Sequence, residues 1–154
     1  MSATPYQHTQ VGRIHWLVAA IGVFEVAIGL LAETPSYVAW LLVVIGTSFL
    51  VLAASFRRLT VREAGERLEL RFGPLPLFRR TVAYAAITSF EVTRSRWVDG
   101  FGVHWVPGRG WTWNLWGFDC VELQTLRGPL RIGSDDVQGL AAHLAERVSG
   151  DSAA

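Results

Sequence analysis

Two apolar runs of nearly twenty residues, set four residues apart, constrain this chain more than any other feature. The first reads IHWLVAAIGVFEVAIGLLA from Ile14 to Ala32, and the second reads YVAWLLVVIGTSFLVLAASF from Tyr37 to Phe56. A helix needs about 20 apolar residues to cross the hydrocarbon core of a bilayer, and each run has that length. Glu33-Thr34-Pro35-Ser36 suits a tight turn, and Pro35 bars one continuous helix because it lacks an N–H and clashes with the turn before it. The sequence therefore predicts a transmembrane helical hairpin with spans 14–32 and 37–56. A hydrophobic content of 51% and a mean hydropathy of +0.29 fit such a chain. A cleaved secretory signal is the rival account. Its apolar stretch runs roughly 7 to 15 residues and ends in spaced small residues, whereas Leu30 stands where one of these belongs.

The flanks orient the hairpin. Arg13 precedes the first span, Arg57 and Arg58 close the second, and the turn carries only Glu33. Cationic flanks stay on the cytoplasmic side, so residues 1–13 read as a cytoplasmic tail and both termini face the cytoplasm. Trp16, Tyr37 and Trp40 lie near span ends, where amphipathic rings favour the headgroup zone.

Glu25 sits mid-span, where an ionised carboxylate costs a few kcal/mol or more unless it is protonated or paired. Counting equal lengths from the turn sets it opposite Val44 to Ser48. There Gly46 permits close approach, and Thr47 and Ser48 offer hydroxyls. An intramembrane polar contact among Glu25, Thr47 and Ser48, or between Glu25 and another protomer, is expected. A proton or ion relay is the functional alternative, and no second intramembrane charge supports it.

After Arg58 the pattern changes to alternation. In RLELRF, Leu68, Leu70 and Phe72 face one way while Arg67, Glu69 and Arg71 face the other, as in a half-buried strand. Further strand candidates are Leu59 to Glu63, Leu77 to Val82, Ile87 to Arg96, Cys120 to Leu126 and Leu130 to Ile132, with Val98-Asp99-Gly100 breaking the fourth run. Val137, Leu140, Ala141, Leu144 and Val148 then recur at helical spacing. Ser134 or Asp135 can cap that helix, Asp135 and Gln138 being spaced as a capping box. About seven strands and a closing helix imply a bent sheet or partial barrel over 57–149, followed by a disordered tail, 150–154.

Five of the seven tryptophans fall between Trp97 and Trp116. Val103 to Val106 and Trp111 to Trp116 flank Pro107-Gly108-Arg109-Gly110, a segment rich in turn chemistry, and read as a β-hairpin. By alternation Trp111, Trp113 and Leu115 share one face and should pack inward, while Trp116 points the other way. Core packing, membrane contact and recognition of a peptide or ligand all remain open for Trp105, Arg109, Trp111, Trp113 and Trp116, which form the candidate interaction surface.

Taken together, the two spans, YAAITSFEV at residues 84–92, GFDCVELQT at 117–125 and LRIGSDDVQGLAAHLAERV at 130–148 resemble the small bacterial membrane proteins that carry a PH-like domain. The resemblance covers Leu59 to Val148 and the hairpin's layout. It implies an α+β architecture, namely a transmembrane hairpin, a PH-like bent barrel of about seven strands and a C-terminal capping helix. It carries over no catalytic residues. A PH-like barrel hosts lipid, peptide and protein binding alike, so function must come from the site.

Enzymatic chemistry finds no foothold. His8, His15, His104 and His143 fall on different elements without metal-ligand spacing, the lone Cys120 has no disulfide partner in the chain, and no nucleotide-binding or hydrolase motif occurs. No cofactor or metal is therefore expected. All 14 basic residues are Arg, balanced by 13 acids for a net charge of +1, so no basic field argues for nucleic acid. Phosphoinositide recognition wants cations around the first β-loop, and Ala64-Gly65-Glu66 is short and acidic. Arg79-Arg80, Arg94 and Arg96 read as scattered cations on solvated strand faces. The expectation is a non-enzymatic, membrane-anchored PH-like module at the cytoplasmic face of a bacterial inner membrane. It would contact the lipid bilayer and serve interaction with a protein partner or a homo-oligomer. The alternative is an accessory subunit of a transporter or secretion complex, with Glu25 at its intramembrane interface.

Overall fold

The computed structural model describes residues 5–33, 35–75, 77–95 and 101–150. Thr34, the Val98-Asp99-Gly100 break, Trp97 and the tail beyond Gly150 lie outside the described residues. Strand β1 (Gln7–Val11) leads into helices α1 (Ile14–Leu31) and α2 (Ser36–Ser55). Both helices are long and apolar enough to cross a membrane, and only 17% of each span is buried within the protein. Their closest approach is at small residues. A Cβ built on Gly22 would lie 2.7 Å from the Gly46 carbonyl oxygen, and one on Gly46 would lie 2.7 Å from that of Gly22, so only glycine lets the backbones approach this closely.

Eight strands follow: β2 (Arg58–Glu63), β3 (Arg67–Gly73), β4 (Arg79–Ala83), β5 (Ile87–Arg94), β6 (Gly102–Val106), β7 (Gly110–Asn114), β8 (Asp119–Thr125) and β9 (Gly128–Gly133). They form two sheets, in the orders β1-β2-β3-β4 and β5-β8-β9-β7-β6. All pairings are antiparallel except β7 with β9. Leu68, Leu70 and Phe72 of β3 meet Val121, Leu123, Leu130 and Ile132 across the core, and Leu140 and Leu144 of α3 (Val137–Gly150) cover it. Each such side chain contributes about 1.5–3 kcal/mol when fully buried.

Three sequence expectations change. First, the α+β class and the order of helices, sheets and terminal helix stand, but the sheets do not close into a barrel. A 3-10 turn at Tyr84–Ala86 redirects the chain between β4 and β5, and no ladder joins the two sheets among the described residues. Second, residues 1–13, expected as a tail, supply β1. This strand pairs with β2 from Gln7↔Arg62 to Val11↔Arg58. Its sequence QHTQV has one apolar residue, so the open edge of β2 selects the strand where alternation does not. Third, the cap of α3 is Asp136, whose Oδ1 accepts from the Gly139 N–H at 3.1 Å. Ser134 Oγ in turn accepts from the Asp136 N–H, and Asp135 pairs instead with His8 of β1.

Candidate functional site

The tryptophan hairpin is built by β6 and β7. β7 is held on one side by β9, with Trp111 beside Leu130 and Trp113 beside Ile132, and on the other by β6, where Val103 faces Trp113 and Trp105 faces Trp111. Gly110 opens β7 at φ +76°, and a Cβ there would meet the Pro129 carbonyl oxygen at 2.1 Å. Any side chain at this position would push the hairpin off β9.

Along this ribbon the rings divide by height. Trp113 is 5% exposed, with its ring 5.6 Å from Phe72, and Leu115 beside it is buried. Trp111, on the same pleat face, is 43% exposed, and Trp105 opposite it is 57% exposed. The expectation that Trp111 packs inward is therefore corrected. The pleat fixes a shared face, but the core ends below Trp111. Thr112 and Asn114 are buried as well, so β7 is covered on both sides at its middle.

Trp116 lies at the other end, next to the helices, and is 43% exposed. Its ring stacks on Phe101 at 5.6 Å, and Phe101 in turn approaches Phe118. Phe101, Gly102 and Leu115 join Ile14, Val18, Leu52 and Phe56 around an apolar cleft of about 150 Å³ at the helix ends. The hairpin thus carries one aromatic group at the helix-proximal end and another at the remote end.

The remote end also holds cations. The Arg80 guanidinium lies 6.0 Å from the centre of the Trp111 ring, within cation–π range. Arg67, Arg80, Thr81, Val82, Thr125 and Arg127 line a groove of about 440 Å³ between β4 and the β8–β9 turn. Burial first, and then the nearby charge of Arg127, hold the Arg80 guanidinium below its usual pKa. Sequence reading treated Arg80 as a solvated cation and missed Arg67 and Arg127. One signal was present: Arg80 shares its pleat face with Val82, the inward one, since it pairs with Leu70. Arg109, at the tip of the hairpin, is half-buried.

In the helices, Glu25, Thr47 and Ser48 are not brought together by hydrogen bonds. Ser48 Oγ donates to Val44 of its own helix at 2.8 Å, while the enclosed Glu25 Oε2 has no hydrogen-bond partner among the described residues. Because the seam runs through Gly22 and Gly46, Thr47 and Ser48 lie about 100° and 200° around the helix from it, on exposed positions.

A second polar cluster is structural. His143 Nε2 is 2.7 Å from the Tyr84 hydroxyl, its ring stacks on Tyr6 at 5.0 Å, and Glu63 pairs with Arg147. These contacts fasten α3 to the residue before β1, to the end of β2 and to the 3-10 turn. Among the described residues no group of three or more His, Cys, Asp or Glu is placed to hold a metal ion. No family model matches the chain, and no curated protein is similar enough to it to count as a relative.

Proposed function

We propose that this protein is a non-enzymatic, membrane-anchored module of a bacterial inner membrane. Its β domain, of the PH-like kind the sequence resembles, stands at the cytoplasmic face and engages a protein partner through its helix-remote end. The division of the tryptophan hairpin carries the reading. Trp105 and Trp111 are left outside the core at the end away from the helices, and large exposed aromatics of this kind are enriched at protein interfaces. The anchor is supported by α1 and α2, whose large apolar side chains, Phe24 and Trp40 among them, face outward. Arg13, Arg57 and Arg58 against Glu33 support the orientation.

A photocrosslinking amino acid placed at Trp105 in living cells tests the reading. A discrete protein adduct is expected there and at Trp111, and none at the exposed Arg71, near the helix-proximal end of β3. The reading fails if positions 105 and 111 give no protein adduct.

A second reading, an accessory subunit of a transporter or secretion complex, draws on Glu25, a half-buried residue of the first span whose Oε2 has no hydrogen-bond partner among the described residues. A carboxyl in that state suits a helix contributed by another membrane protein.

A further inference from the structure

We infer that the groove beside β4 binds an extended, acidic segment of the partner protein. That segment would add to the free edge of β4 while its carboxylates meet Arg67, Arg80 and Arg127. This deepens the adaptor reading and rests on it.

The edge is the first observation. β4 ends its sheet and pairs only with β3 among the described residues, so the alternate N–H and C=O groups of Arg79–Ala83 on its outer side are unpaired by any strand. Such an edge is a template for another extended chain.

Charge is the second. Among the described residues Arg62 and Arg79 share Glu69, Arg94 pairs with Asp119, Arg131 with Glu122 and Arg147 with Glu63. Among the described residues no ion pair engages Arg67, Arg80 or Arg127, and no acid lines the groove they share. An Arg–carboxylate pair in such a site adds bidentate geometry to charge. Trp111, against which Arg80 lies, offers an apolar surface next to the groove. Acids alternating with apolar residues are therefore the fitting sequence.

Position and chemistry select this occupant over others. β3 reaches Gly73 at the helix end, where Phe56 bridges to it. At about 3.3 Å per residue, Arg67 stands roughly 20 Å from that bridge along the strand, at the end of β3 remote from the helices. Nucleic acid offers no backbone complementary to a strand edge, and a net charge of +1 supplies no long-range attraction for it. A second copy also fits poorly. No two of the chain's 13 acids stand two residues apart, so it offers no segment of alternating acids.

The test uses the full chain in nanodiscs of zwitterionic lipid and a fluorescein-labelled nine-residue peptide of alternating Glu and Val, followed by anisotropy. Binding is expected, with Arg67→Ala and Arg127→Ala each weakening it by about tenfold, the scale of one charge-assisted pair. Both positions are at the surface of the groove, so unchanged thermal unfolding of these variants separates binding from folding. Arg71→Ala should bind as the parent does. Alternating Lys and Val should not bind, and alternating Glu and Pro, lacking half the backbone donors, should bind at least about tenfold more weakly.

Equal binding to parent and Arg variants overturns the proposal, as does tighter binding of a ten-nucleotide oligo-dT to the same arginines. If the peptide fails while the crosslinker at Trp105 still captures its protein, the groove proposal falls and the adaptor reading stands. If the crosslinker captures nothing at 105 or 111, both fall.

Discussion

The helical hairpin and the β domain use similar apolar residues and dispose of them in opposite ways. In α1 and α2 large side chains such as Leu17, Phe24 and Trp40 face outward, and the backbones approach most closely at Gly22 and Gly46. In the β domain Leu68, Leu70 and Phe72 are fully enclosed, while the outer faces carry Arg and Glu. With the helices in lipid, as proposed, and the β domain in water, the contrast reflects solvent. Lipid is as apolar as a leucine, so burial drives no association between helices there and close backbone packing takes its place. Water drives the second arrangement directly.

The largest effect that could break this comparison is all or none. With Cys120→Ser as background, an impermeant thiol reagent applied to intact cells should label Ser36→Cys in the turn between the helices and leave Ser152→Cys unlabelled. Labelling at 152 alone would invert the hairpin, and labelling at neither would place the helices elsewhere than across the membrane.

Within the β domain, Trp113→Ala should cost roughly 3 to 5 kcal/mol of stability, the usual toll of a buried large ring. Trp105→Ala and Trp111→Ala should each change it by about 1 kcal/mol or less. Thermal unfolding of the detergent-solubilised chain reads the difference. Equal losses at all three positions would mean that the remote rings are covered in the protein as it exists in solution.

In the helices the scale is smaller. Glu25→Leu should weaken co-purification of whatever helix supplies a partner to this carboxyl, by about 1 kcal/mol at most, whereas Glu25→Gln should preserve it. A proton flux abolished by Glu25→Gln with assembly intact would instead favour the relay reading.

The smallest effect is in pH, and it is confined to the β domain. Burial holds His143 below its usual pKa, opposed in part by Glu146. Burial, with Glu66 adding, pushes the Tyr84 hydroxyl up to about 12, and burial followed by Asp136 pushes Tyr6 upward too. The folded domain therefore binds fewer protons than the unfolded chain near His143 and retains more at the tyrosines. Stability should be full above about pH 6.5 and fall as the pH drops below it. It should fall again as the pH rises past about 10, where unfolded tyrosine ionises. His143→Gln should flatten the acid limb and Tyr84→Phe the alkaline one. A unfolding temperature that stays level across both limits would detach this cluster from the domain's stability.

Much of the architecture was legible because it is written in short-range pattern. The two helices follow from run length and Pro35, β3 from the alternation of RLELRF, and α3 from the spacing of Leu140 and Leu144. The candidate site was legible in part. Alternation gave Trp111 and Trp113 a common face, and nothing in the local pattern could say that Phe72 reaches one ring and not the other.

What the sequence by itself determined is the set of segments and their periods: two apolar helices, a strand-rich region and an amphipathic helix. Tertiary structure alone decided that QHTQV is a strand, that Asp136 and not Asp135 caps α3, and that Arg67, Arg80 and Arg127 share one groove. The physical reason is range. Periodicity and turn chemistry act over a few residues, whereas an edge strand, a cap bound by β1 and a groove between two sheets depend on which distant segments the core brings together.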